Sequence, residues 1–113
     1  MAEEFVTPPG HRDFQAKKLF NEVSGTIHWG AVAYIKAGGG GPEGRHTHDD
    51  NHLFIVVEGE VRIEQGNETR IVGKDETCFV EGCIPHGIWN NGTETAKVIK
   101  ISLTNPKNDG NGD

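Results

Sequence analysis

Six histidines occur in 113 residues, and three of them, His46, His48 and His52, fall within seven positions of one another. A fourth, His86, follows a proline in CIPHGIWN. Neutral imidazole is the commonest protein ligand for divalent transition metals. Four imidazoles that converge would hold one such ion, and the ligand type suits manganese, iron, copper, nickel or zinc without choosing among them. Four neutral ligands leave the ion's charge uncompensated. Such a site is a strong Lewis acid that favours anionic ligands. With six-coordinate geometry it would keep two positions for an enolate, a 2-hydroxy-carbonyl compound, or a substrate together with dioxygen. A closed four-coordinate ion would be structural instead.

These side chains need strands to position them. In an extended segment alternate residues share a face. His46, His48 and His52 have one parity, so an extended or mildly bulged segment would turn all three inward, with Phe54 and Val56 continuing that face. Arg45, Thr47, Asp49 and Asn51 then fall outside. His86, Ile88 and Asn90 form a matching set, and if the two strands are neighbours the four rings meet. The competing reading, a polar outer face, sits poorly with the apolar run 53–57, which must be buried.

The rest of the chain reads as short strands. Residues 26–37 alternate, but both sets contain apolar residues and either could face inward. The glycine run at 38–41 predicts a flexible turn, not regular structure, and one that brings backbone close to something. Gly66-Asn67 marks a hairpin turn. Residues 97–103 put Ile99, Ile101 and Leu103 on one face. No segment reads as a helix. Strands at this spacing indicate an all-β sandwich or barrel. One domain is expected, with an arm over residues 1–13, a barrel over 14–104 and a disordered tail over 105–113. The arm would be frayed or lie against a partner, and its isolated His11 would face solvent.

Net charge is −6, with 11 basic and 17 acidic residues and no cationic cluster. A nucleic-acid surface is therefore not expected. No apolar run approaches the ~20 residues of a membrane span. The acidic start MAEEFVTPPG lacks a signal-peptide core, so a cytoplasmic protein is the expectation. Cys78 and Cys83 match no common metal or redox spacing and read as small buried hydrophobes.

GRHTHDDNHLFIVVEG resembles the first motif of the cupin superfamily. His46 and His48 supply its HxH, His52 stands where that family usually has glutamate, and Gly59 follows six residues later. GKDETCFVEGCIPHGIWN resembles the second motif through Pro85, His86 and Asn90. Glu81-Gly82-Cys83 departs from the usual PxG, and Gly73 fits the leading glycine only loosely. The resemblance implies a single-domain cupin, a double-stranded β-helix or jelly-roll barrel. Histidine in place of that glutamate makes the resemblance closer to small four-histidine cupins such as the compact manganese-binding proteins of thermophilic bacteria. It implies metal ligation by His46, His48, His52 and His86, and a homodimer.

One expectation for activity is a metal-dependent, dioxygenase-like oxidoreductase acting on a small enolizable oxygenated compound. The alternatives are a Lewis-acid isomerase, lyase or cyclase, or a non-catalytic barrel that binds a sugar or another small molecule. Tyr34 is a candidate proton donor and Asn90 a candidate support for the ligands. Tyr34, His28 and Cys78 read first as ordinary wall or packing residues, and Asn90 reads equally as a turn residue.

Overall fold

The computed structural model describes residues 4–21, 26–47 and 49–106, with only the backbone of Phe20, Asn21, Arg45 and His46. It contains eight strands: β1 (Arg12–Asn21), β2 (Ile27–His46), β3 (Asn51–Glu58), β4 (Glu60–Gln65), β5 (Glu68–Gly73), β6 (Thr77–Val80), β7 (His86–Asn90) and β8 (Ala96–Leu103). They pair antiparallel in the order β5-β4-β7-β2-β8-β3-β6, with β1 added to β2. The two ends of that path, β5 and β6, are joined by the short turn at 74–76, and the sheet is a nearly closed barrel. This is the expected cupin jelly roll.

Period-two burial shows why these segments close around one core. Val61, Ile63, Phe54, Val56, Val98, Ala96 and Ile35 are buried from four different strands. The β4–β5 hairpin turns at Gly66-Asn67, where Gly66 has a φ of +57°, a value glycine adopts without penalty.

The longest strand, β2, corrects the sequence reading. Residues 38–41 do not turn; β2 runs straight through them for 20 residues. Its first half pairs with β8 on one side and β1 on the other, and its last part pairs with β7. The glycines allow that crowding. Gly40 is the register partner of both Arg12 and Trp89. A Cβ on Gly40 would lie 2.6 Å from the Trp89 Cα, and one on Gly39 would lie 2.6 Å from the Arg12 carbonyl oxygen. The expected close backbone approach is therefore present, but within a strand.

Two further expectations change. On β8 the barrel interior takes Ala96, Val98, Lys100 and Ser102, whereas Ile99, Ile101 and Leu103 lie half-buried on the other side. Both faces of this central strand are covered, so hydrophobicity alone could not orient it. The arm folds back on its own chain, with Val6 and Ala16 exchanging two backbone hydrogen bonds of 2.8 Å. At the other end Asn105 is buried and donates to the Asp49 carbonyl at 3.0 Å, while residues 107–113 lie outside the described residues.

Candidate metal centre and ligand cavity

His52 and His86 come together by a different route from the one the parity argument supposed. His46 ends β2, His52 is the second residue of β3, and a bend at Asp49-Asp50 separates them. No single extended segment carries all three. Nor are β3 and β7 neighbours: β3 pairs with β6 and β8, and β7 pairs with β2 and β4. His86 instead has His46 as its register partner on β2. It meets His52 across the barrel interior, the rings edge to face with centroids 5.4 Å apart.

Both rings are withdrawn from solvent, His52 being 2% and His86 5% exposed. His52 also packs edge-on to Trp29 and Phe54. Nδ1 of His86 lies 3.1 Å from the Ile84 carbonyl oxygen. A carbonyl only accepts, so Nδ1 carries a proton, and in the neutral ring Nε2 then presents its lone pair. A backbone carbonyl holding one ring nitrogen so that the other can bind is the usual support of a metal-ligating histidine. Among the described residues no three His, Cys, Asp or Glu side chains cluster tightly enough to hold an ion. His48 lies outside the described residues, and His46 is described by its backbone alone. The donor set nonetheless fits a divalent metal: two buried imidazoles in contact, and a third histidine in register with one of them.

The loop between His46 and His52 is pinned at several points. Asp50 Oδ2 accepts from Ser102 Oγ at 2.7 Å and meets His28 Nδ1 at 2.8 Å, and His28 Nε2 meets Thr104 Oγ1 at 2.9 Å. Ser102 is itself the β8 register partner of His52. Asn51, expected outside, is buried; its Oδ1 accepts from the Gly82 backbone N–H at 2.8 Å. A Cβ on Gly82 would collide with the carbonyl oxygens of Asp49 and Asp50. The glycine displaced from the usual motif thus still has a role, as the floor under this loop. We expect Asp50→Ala to destabilise the protein by about 1–3 kcal/mol, because it removes the carboxylate that holds the Ser102 hydroxyl and His28 Nδ1. Urea denaturation tests this; an unchanged midpoint would mean the loop is held elsewhere.

Tyr34 and Asn90 stand away from this chemistry. Tyr34 is 37% exposed, with Phe5 edge-on to its ring and Lys97 above it. Asn90 Nδ2 donates to the carbonyls of Ile35 and Glu94, both at 2.8 Å, and its Oδ1 accepts from Gly92 N–H. Those bonds close the turn after β7 and tie it to β2. Cys78 is buried, and burial raises its thiol pKa against the opposing pull of Arg70, as suits a packing residue. Cys83 is exposed.

His86 forms part of the wall of a cavity of about 430 Å³, a size that suits a small organic ligand. Trp29, Ala31, Ala33 and Ile35 line it, which settles which set of β2 faces inward. His11, expected to face solvent, is half-buried and also lines it, with its ring 4.4 Å from that of Phe14. Lys18 and Lys100 line it too, and no sequence signal singled them out. Lys100 could be found only by parity with Val98 and Ser102, once β8's interior face is known.

Burial lowers the Lys100 pKa from 10.5 to about 8. The unfolded chain therefore binds more protons than the folded one between those values, so stability attributable to this group rises with pH across that window. Below pH 8 the full penalty applies. At about 1.4 kcal/mol per unit it is at most on the order of 3 kcal/mol, an upper bound because the residue is only half-buried. Lys100→Met is expected to stabilise the protein at pH 7, with the difference from wild type shrinking toward pH 10.5. A variant less stable than wild type at pH 7 would contradict this.

The cupin-domain family model matches residues 31–102, which span both histidine motifs, and the chain belongs to the cupin family. Metal binding is common in that family. No curated protein matches the chain. Solved structures share its fold. A predicted oxalate decarboxylase from Thermotoga maritima superposes with a TM-score of 0.78 at 15% identity, covering 91% of this chain and 92% of that one. The polyketide cyclase RemF from Streptomyces resistomycificus gives 0.71 at 22% identity, over 87% and 70%. KdgF from a Halomonas species gives 0.68 at 17% identity, over 88% and 87%.

Proposed function

We propose that this cupin is a metal-dependent enzyme acting on a small enolizable oxygenated compound, with a dioxygenase-type oxidation as its leading activity. The supporting observation is that His86, part of the wall of a mostly apolar cavity, meets a second buried imidazole, His52, behind it. His46, His48, His52 and His86 would hold one divalent ion. That ion would supply Lewis acidity toward the oxygens of the bound compound. The chain's own contribution is to orient the ligands through Ile84 and the Asp50 network, and to offer a mostly apolar cavity to the bound compound. Elemental analysis of the purified chain, followed by oxygen-uptake assays with enolizable diketones and catechol-like compounds, tests the reading. Uptake that requires both metal and substrate supports it. Metal-dependent conversion without oxygen use would point to an isomerase, lyase or cyclase. No metal, even after reconstitution, would leave a ligand-binding barrel.

We also infer a homodimer. Phe5, Leu19 and Tyr34 expose large apolar surfaces, and Phe5 packs on Tyr34 beside β1. Register places Tyr34 opposite Gln15, on the face of β1–β2 that points away from the cavity. Sedimentation at micromolar concentration should show the dimer; monomer alone would refute it.

A further inference from the structure

The cavity carries a charge pattern opposite to that of the chain. The protein has 17 acidic against 11 basic residues. Yet among the described residues the cavity is lined by two lysines and two histidines and by no Asp or Glu. Strand register explains how the lysines come together. Lys18 on β1 and Lys100 on β8 are both partners of Ala31 on β2, so the three lie in one row across neighbouring strands. The short Ala31 side chain leaves open the space between two long ones. Both ammonium groups lie over the Trp29 ring, Lys18 Nζ at 5.2 Å and Lys100 Nζ at 4.8 Å from its centroid. Among the described residues neither lysine forms an ion pair with a carboxylate.

Two cations converging on one ring without a counter-ion repel each other, and burial already depresses the Lys100 pKa. The Trp29 ring attracts each cation and Lys18 is exposed, so the pair stands without a counter-ion, and an anion between them would relieve the repulsion that remains. We propose that Lys18 and Lys100 form the anion-binding end of this cavity, which takes a small organic acid: a carboxylate carried on an apolar or aromatic body. One carboxylate has two oxygens and can accept from both ammonium groups. Ala33, Ile35, Phe54, Ile88 and Val98 would receive the apolar body. This names the substrate class of the reading above and rests on the cavity being its substrate site.

Benzoate and its neutral analogue benzamide, titrated into the full chain by NMR, separate charge from shape. Benzoate is expected to bind at least about tenfold more tightly and to shift the Trp29 indole signal. Lys100→Met should reduce the preference to roughly threefold or less, while Lys100→Arg keeps most of it. Equal binding of the two probes would overturn the proposal, as would no benzoate binding at about 10 mM or a preference intact in Lys100→Met. The titration is repeated on chelator-treated protein. A preference that survives metal removal supports the lysine site, and one that vanishes with the metal places the anion there and overturns it. Failure of the metal reading shows separately, as a chain that binds benzoate through Lys100 but retains no metal.

Discussion

Replacing His86 or His52 by alanine is expected to abolish the proposed metal binding. Removing groups that merely support a ligand costs about 10–100-fold in affinity, so loss of a ligand itself should exceed about 100-fold. His86 is the cleaner test. Its ring borders the existing cavity, so its removal enlarges a space already present. His52 is packed against Trp29, Phe54 and His86, and its loss should also destabilise the fold by about 2–4 kcal/mol. His11→Ala is the control. His11 lines the same cavity, but its Nδ1 lies 2.8 Å from the Pro9 carbonyl on the arm, and it stands outside the motifs. Metal-to-protein ratios and chelator competition should show near-stoichiometric metal in wild type and His11→Ala, and little in the other two. Wild-type retention in both His52→Ala and His86→Ala would remove the four-histidine site.

Gly40→Ala is expected to damage the fold severely. Gly40 has a φ of +149°, which side-chain-bearing residues rarely adopt. The new Cβ would press on the Ile88 carbonyl oxygen, on the Trp89 Cα at 2.6 Å and on its ring at 2.7 Å. Two of these three contacts are backbone atoms of β7, the strand that carries His86, so relief requires β7 to move off β2. A loss of about 4 kcal/mol or more is expected, out of a total of roughly 5–15. That should lower the melting temperature by more than about 15 °C or leave the protein insoluble. Gly38→Ala is the comparison. Gly38 also has a positive φ, +80°, but nothing lies within 4 Å of its Cβ position. Only backbone strain of about 1–2 kcal/mol is expected there. Equal melting temperatures for the two variants would mean that β2 and β7 do not cross as described.

The jelly roll was legible because its signals are local. Alternation at 61–64, the Gly66-Asn67 turn and the apolar run at 53–57 each determine a strand or a turn without reference to the rest of the chain. The histidine spacing was legible as well, since a ligand set leaves its residue types in the sequence. The reasoning that joined them was less sound. Parity along one strand does not bring His52 to His86, because a bend breaks the segment and β3 and β7 are not neighbours. They meet because the sheet curls until its interior faces oppose each other.

What the sequence by itself determined is the all-β class, the family and the identity of the candidate ligands, since each depends on residue types at short separations. Tertiary structure alone decided which face of β2 and β8 turns inward, and with it the ligand chamber. Both strands are flanked and partly covered on both sides, so their hydrophobic patterns do not distinguish the faces. Lys18, Ala31 and Lys100 lie far apart in the chain and become one row only through strand register. Register is a property of pairs of strands, which no single segment encodes.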